Sequence, residues 1–307
     1  MRVLVTGVTG YVGAAVVPRL AAEGHHVRGF ARSPERVDLA GVTLDDLVLG
    51  DAVAGTGLDE ALDGVGVAYY LIHSMEGAAS SFEEQELRAA RQFARAAARA
   101  GVRRIVYLGG LVPADARPSR HLASRMAVEE ELLAAVPEAV AFRASIVIGS
   151  RSRSFRFLVR LIERLPVLAL PAWRDNRTQP IDGRDVLDYL VRAADAPAEV
   201  TGRSWDIGGP EVVTYGRLVE RIADAMMVFR PRLALDLTLT PVASVVASAV
   251  AGEDVGLIGP LMESLEHDLL PRHPDAAKAF GVRLHGFEAA VERALRDWER
   301  EEELAAR

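Results

Sequence analysis

Cysteine is absent from the chain. Disulfides, thiolate nucleophiles and thiolate metal sites are therefore excluded, and a reducing cytoplasm is the simplest compartment to expect. Long hydrophobic runs are missing too. The most apolar later stretch, PVASVVASAVAG at 241–252, falls short of the ~20 helical residues that a bilayer requires. It suits a buried helix, a lid or a subunit contact, so no membrane span is expected and a homo-oligomer stays open. The N-terminus opens on strand-forming residues, without the basic, apolar and cleavage regions of a secretion signal. Nor is there an excess of positive charge. The formal net charge is −7, which gives no global field to draw in nucleic acid or anionic lipid. The 7 histidines, at positions 25, 26, 73, 121, 267, 273 and 285, show neither H-x-x-H nor H-E-x-x-H spacing, so no metal site is expected. The serine-hydrolase elbow G-x-S-x-G does not occur.

What is present suits an α/β protein. The 307 residues are 50% hydrophobic and 26% charged, enough apolar material for one large domain with a smaller lobe. Short apolar β-rich runs at 2–6, 26–31, 44–49, 66–72, 103–108 and 140–146 alternate with helical stretches near 11–23, 57–63, 80–100 and 119–135. That cadence predicts right-handed βαβ units and a doubly wound parallel sheet covered on both faces. In the helix at 80–100, Glu83, Glu84 and Glu86 are expected in the first turn, where the helix dipole favours anions. Arg88, Arg91, Arg95 and Arg99 follow as one solvated stripe, and Gly101 stands where a left-handed stop is expected. After residue 150 prolines punctuate the chain, and helices near 153–164, 183–194, 214–227 and 287–303 are separated by short strands.

The stretch TGVTGYVG places Gly7, Gly10 and Gly13 between the first strand and the first helix. A tight strand-to-helix turn needs residues without Cβ, and a phosphate needs bare backbone N–H groups at the positive end of a helix. A glycine pattern so placed inside a βαβ unit marks a dinucleotide site. At the end of the second strand a free ribose 2′-hydroxyl is usually met by an acid. Here the chain reads ARSPER, with Arg32, Ser33 and Arg36. A guanidinium suits a 2′-phosphate, so NADP is expected, with NAD possible if Arg32 stacks on adenine or faces solvent. The expected organisation is a Rossmann domain over 1–150, its sheet completed by 178–208. Segments 151–177 and 209–307 would form a smaller, mostly helical lobe.

With those residues in hand, the chain resembles the atypical or extended short-chain dehydrogenase/reductases. It is most similar to the NmrA-like and epimerase-like NAD(P)-binding proteins, a group that includes relatives of the 39 kDa subunit of respiratory complex I. TGVTGYVG is similar to the family's TGxxGxxG, and LGD at 49–51 matches the turn whose aspartate, here Asp51, borders the adenine. AYYLIHSM at 68–75 takes the place of the fourth strand, whose end lies beside the cofactor ribose. FRASIVIG (142–149), QPIDGRDVLDYL (179–190) and DIGGPEVVTYGRLVERIA (206–223) match later family segments in order. The resemblance implies a cofactor set of Gly7, Thr9, Gly10, Tyr11, Val12, Gly13, Arg32, Asp51, Ala52, Leu71, Ile72, His73 and Arg125.

The departures concern catalysis. Family reductases use a serine after the fifth strand and a Tyr-x-x-x-Lys pair on the next helix. In this chain Gly109 and Gly110 stand where the serine would be, and the pair reads His121-x-x-x-Arg125. Arginine does not deprotonate in a protein and cannot shuttle protons. An imidazole, with an ordinary pKa near 6.5, suits a general acid. His121 is therefore the first candidate donor, with Tyr107 and His73 as others and Arg125 as a ribose clamp. The expected function is NADP(H)-dependent oxidation or reduction of a small organic substrate. The alternative is a cofactor-binding protein without turnover, such as a redox sensor or a structural subunit. The run SRSRSFRFLVR (150–160) either packs Phe155 and Phe157 into the lobe or forms an anion pocket with Trp173, Arg174 and Arg177.

Overall fold

The computed structural model describes residues 1–39, 41–72, 79–235, 262–273, 275–302 and 304. The first half alternates strand and helix without interruption. The elements are β1 (Arg2–Thr6), α1 (Tyr11–Ala22), β2 (His26–Ala31), α2 (Pro34–Leu39), β3 (Asp46–Leu49), α3 (Leu58–Leu62), β4 (Val67–Tyr70), α4 (Ala79–Arg99), β5 (Arg104–Gly110), α5 (Arg120–Ala135) and β6 (Val140–Ala144). Then come α6 (Arg153–Arg164), α7 (Gly183–Ala194), β7 (Arg203–Ile207), α8 (Tyr215–Ala225), α9 (Ala276–Ala279) and α10 (Phe287–Glu299).

Seven strands form one sheet in the order β7-β6-β5-β4-β1-β2-β3, every neighbouring pair parallel. Sheet alternation sends Val3, Val5, Tyr69, Val106 and Phe142 to one face, where they pack with α1 and α7. Leu4, Tyr70, Ile105, Tyr107 and Ala141 go to the other face, among residues of α3, α4 and α5. Both faces are thus buried, as a parallel sheet requires. The order reverses between β1 and β4, so the crevice at their carboxyl ends is the switch point where such folds bind ligands.

A third apolar cluster joins Phe155, Phe157 and Ile162 of α6, Leu218 and Ile222 of α8 and Leu295 and Trp298 of α10. Around it, among the described residues, the chain makes two-stranded ribbons, 147–148 with 181–182, 177–178 with 213–214 and 168–170 with 232–234. Gly101 has φ +70 and ends α4 as expected. The start of α4 corrects the reading of its acids. The helix begins at Ala79, so Glu83, Glu84 and Glu86 lie beyond the first turn, and Glu86 is buried at 4% exposure. Arg88, Arg91, Arg95 and Arg99 face outward. Among the described residues no helix is long and apolar enough to cross a membrane, and no three His, Asp or Glu cluster as metal ligands. The 241–252 stretch lies outside the described residues.

Candidate functional site

The joint after β1 is built by glycine. Gly7 has φ +67, and a Cβ there would stand 2.4 Å from the Leu71 carbonyl oxygen. A Cβ on Gly13 would stand 2.1 Å from the Gly7 carbonyl oxygen, so only glycine lets α1 lie this close to the turn. Buried Thr6 stitches the switch point: its hydroxyl donates to the Tyr69 carbonyl (2.9 Å) and accepts from the Leu71 amide (3.1 Å). Gly10 is the N-cap of α1 and offers no side-chain cap, and no acid occupies the first turn. The positive end of the helix is therefore left open to an external anion or to water. Tyr11 plays a packing part. A Cβ on Gly149 or Gly183 would lie 2.0 or 2.4 Å from its hydroxyl, and burial pushes that phenol above its ordinary pKa.

These residues open onto a cleft of about 580 Å³, within the usual range of ligand sites. Its walls include Gly7, Thr9, Gly10, Tyr11, Val12, Gly13, Arg32, Asp51, Ala52, Leu71 and Ile72. His73 lies outside the described residues. Helix α2, unforeseen in the sequence, starts at Pro34, whose fixed φ suits the first helical position. Arg36 on this helix joins Arg32 on the cleft wall. Both are exposed, and neither has a carboxylate partner among the described residues. Asp51 closes its own turn, its Oδ1 accepting from the amides of Val53 (2.7 Å) and Ala54 (3.2 Å). Sequence reasoning missed Phe30, Gly50, Val53, Ala89 and Val147 on the same walls. Those residues carry no chemical signature, so only the fold could place them.

The catalytic candidates separate. His121, in the first turn of α5, lines the cleft and also a second cavity of about 200 Å³. Arg125 borders only the second cavity. Its Nη1 donates to Glu86 (3.1 Å), its Nη2 donates to the Leu108 carbonyl (2.7 Å), and its guanidinium lies 5.2 Å from the Tyr107 ring centre. The expected ribose clamp is thus bound into the protein, because buried Glu86 claims its charge. Ser124 also donates to Glu86, at 2.8 Å. Tyr107 is a core residue at 1% exposure and lines neither cavity. Its hydroxyl donates to the Arg125 carbonyl at 3.3 Å, and burial pushes its pKa up. β5 points this side chain into the α4–α5 layer, which keeps it away from the cleft. Strand β5 runs on through Gly109 and Gly110, where the family's serine would stand.

Of the two readings of 150–160, the packing one describes the helix. Phe155 and Phe157 are buried. Arg151 pairs with Glu301, while Arg156 and Arg160 pair with Glu302 and stack on Trp298 of α10. Trp173 is buried in the third cluster, Arg174 donates to the Leu235 carbonyl, and Arg177 pairs with Asp268. Each of the three is thus engaged with its own partner among the described residues. Arg151, Ser152, Arg153 and Ser154 do reach the cleft wall.

A parallel seven-stranded sheet with a glycine joint at its switch point defines the Rossmann type of fold. Within it, residues 1–209 match the model of the NmrA-like family, and the chain belongs to that family. It is 28% identical over 228 residues to the Arabidopsis thaliana mitochondrial NADH dehydrogenase [ubiquinone] 1 alpha subcomplex subunit 9. That match takes in 72% of this chain and 56% of the plant protein, so the chain spans little more than half of this relative. It is 30% identical over 221 residues to the (4-alkanoyl-5-oxo-2,5-dihydrofuran-3-yl)methyl phosphate reductase of Streptomyces griseus, covering 69% of each chain. Among solved structures, UDP-glucuronic acid 4-epimerase from Bacillus cereus, bound to UDP-glucuronic acid and NAD, superimposes with TM-score 0.72 at 16% identity. That superposition covers 98% of this chain and 99% of the epimerase.

Proposed function

We propose that the chain is an NADP(H)-dependent oxidoreductase of a small organic substrate, with His121 as the proton donor. The observation that carries this reading is the position of His121, on the wall shared by the 580 Å³ cleft and the 200 Å³ cavity. The glycine joint fits a dinucleotide: its cradle is bare backbone at an uncapped helix end. The amides of α1 would hold the pyrophosphate, Arg32 and Arg36 the 2′-phosphate, and the Asp51 turn, Ala52, Leu71 and Ile72 would wall the adenosine and ribose. Bound there, the dihydronicotinamide supplies a hydride. His121 gives a proton to the substrate oxygen in reduction and accepts it in oxidation. Arg125 moves no proton; its guanidinium ties α5 to β5 through Glu86 and Leu108. Residues 1–150 with 178–208 would carry the cofactor, and 151–177 with 209–307 the substrate side.

Fluorescence titration with NADPH and NADH, followed by turnover assays on ketones, aldehydes and quinones, tests the reading. His121→Ala is expected to lower kcat by about 10²–10⁴-fold, the usual worth of a positioned acid, with NADPH affinity unchanged. Arg32→Ala is expected to weaken NADPH by about 10–100-fold, the loss of one charged hydrogen bond, and to leave NADH alone. Full turnover in His121→Ala, or NADH binding tighter than NADPH in the wild type, overturns the corresponding assignment.

A further inference from the structure

The second cavity has a chemistry of its own. Its walls carry Leu111, Leu122, Ile146, Phe157, Leu158 and Leu269, of which Leu111, Leu122 and Leu269 form a small buried cluster. Polar side chains on the same wall are already engaged inside the protein. Ser145 donates to the Gln179 carbonyl at 2.8 Å. Ser154 shares a hydrogen bond with Ser152 (3.2 Å), and Ser264 with Ser119 (3.3 Å). The cation on this wall, Arg125, is balanced by Glu86. A carboxylate or phosphate pushed in here would lose its water and find Arg125 already balanced, with only the His121 ring at the mouth to answer it, and the several hydroxyls of a sugar would outnumber the polar groups of this largely apolar wall. An alkyl chain or ring loses nothing and buries apolar surface. A dry apolar cavity of about 150 Å³ accepts benzene, so 200 Å³ has room for roughly eight carbons.

We propose that this cavity selects an uncharged carbonyl compound with an apolar portion of about eight carbons, its oxygen turned toward His121 at the cavity mouth. The proposal rests on the neighbouring cleft being the dinucleotide site. It sets this chain apart from its fold neighbour with a bound sugar nucleotide, because the described wall is mostly apolar and its serines and arginine already have partners inside the protein. Glycines 109 and 110 contribute to the same selection. A Cβ on Gly110 would sit 2.9 Å from Leu122 Cδ2, so the absence of the serine keeps this end of β5 apolar and open.

The test measures binding apart from turnover. Calorimetry on the protein, with and without NADP, uses methyl ketones from butanone to undecan-2-one, with UDP-glucose and 2-oxoglutarate as polar probes. Affinity is expected to rise roughly threefold to fourfold per methylene, the worth of a buried CH₂, and to level off near eight carbons. The polar probes are expected to bind no tighter than butanone. Ile146→Phe, which narrows the apolar end, is expected to shorten the preferred chain by at least two carbons and leave NADPH affinity unchanged. Affinity that is flat with chain length, or tighter binding of either polar probe, overturns the proposal. Should NADPH itself fail to bind while the ketone series keeps its slope, the cleft assignment falls and the class of compound stands.

Discussion

Gly10 and Gly13 sit three residues apart and do different work. The missing Cβ of Gly13 is a packing requirement, since the clash would be with backbone that cannot swing aside. Gly13→Ala is expected to destabilise the fold by about 1–3 kcal/mol, as overpacking does, read as a lowered midpoint in urea. A Cβ on Gly10 would meet only the Gly7 carbonyl, at 3.3 Å. Gly10→Ala is expected to cost about 1 kcal/mol as a poorer N-cap yet to lose NADPH binding, because the methyl group would stand where the proposed site brings the phosphate. The Glu86–Arg125 pair makes a second residue-level prediction. Glu86→Leu takes the carboxylate from beside a buried guanidinium and is expected to cost about 3–5 kcal/mol, whereas Glu86→Leu with Arg125→Leu is expected to cost less than the single change. A double change at least as costly as Glu86→Leu would show that the pair is not coupled. Gly7 and Gly13 were legible because no other residue meets their steric demand, and Gly10 because it completes their even spacing. Glu86 was not, since a glutamate near the start of an acidic, amphipathic helix reads as a solvated or dipole-facing charge. Composition also veils Arg125: Lys278 is the sole lysine of the chain, so arginine at a family lysine position carries little chemical information.

Helices of the second half are held by a few buried charges as well as by apolar packing. Asp182 caps α7 by accepting from the Arg184 amide at 2.8 Å, and its carboxylate also receives the side chains of Arg184 and Arg293, the latter from α10. Burial alone would raise its pKa, but the bonds from Arg184 and the charge of Arg293 outweigh it and hold the carboxyl below the usual range. A depressed folded pKa means that the stabilisation is complete above the unfolded value near 3.9 and is lost as pH falls through the folded value. Neighbouring Asp185, whose carboxyl burial pushes up, acts with the opposite sign and loses stabilisation as pH rises through its folded value. Asp182→Asn is expected to unfold more readily at neutral pH, by about 2–4 kcal/mol, and to show a shallower loss of stability below pH ~4. Acid titration of both proteins by circular dichroism decides this; an unchanged acid limb would show that Asp182 carries none of it. Elements of the first half were readable because strands of four to seven residues alternate with helices, and each leaves a periodic trace. The ribbons at 147–148, 177–178 and 168–170 are two or three residues long, too short for any period, and α2 is hidden behind a proline that reads equally as a turn.

At the scale of the whole molecule, the proposed function rests on where the sheet reverses. Glycine-rich backbone from β1, the end of β4 and the arginines beyond β2 meet at one crevice, and α5 brings His121 to its far side. Sequence order foretold the sheet and its glycine turn, since both are topological, and the structure brings the residues named from them onto one wall. The apolar second cavity was not predicted, because it draws residues from β5, α5, α6 and the 264–269 segment, which no local pattern connects. The measurement that bears most directly on the account is a crystal structure of the protein soaked with NADP. The expected map shows the pyrophosphate on the amides that open α1, the 2′-phosphate against Arg32 and Arg36, and the nicotinamide between His121 and the apolar cavity. A crystal in which saturating NADP leaves the α1 turn empty, or places the dinucleotide elsewhere on the molecule, would contradict it.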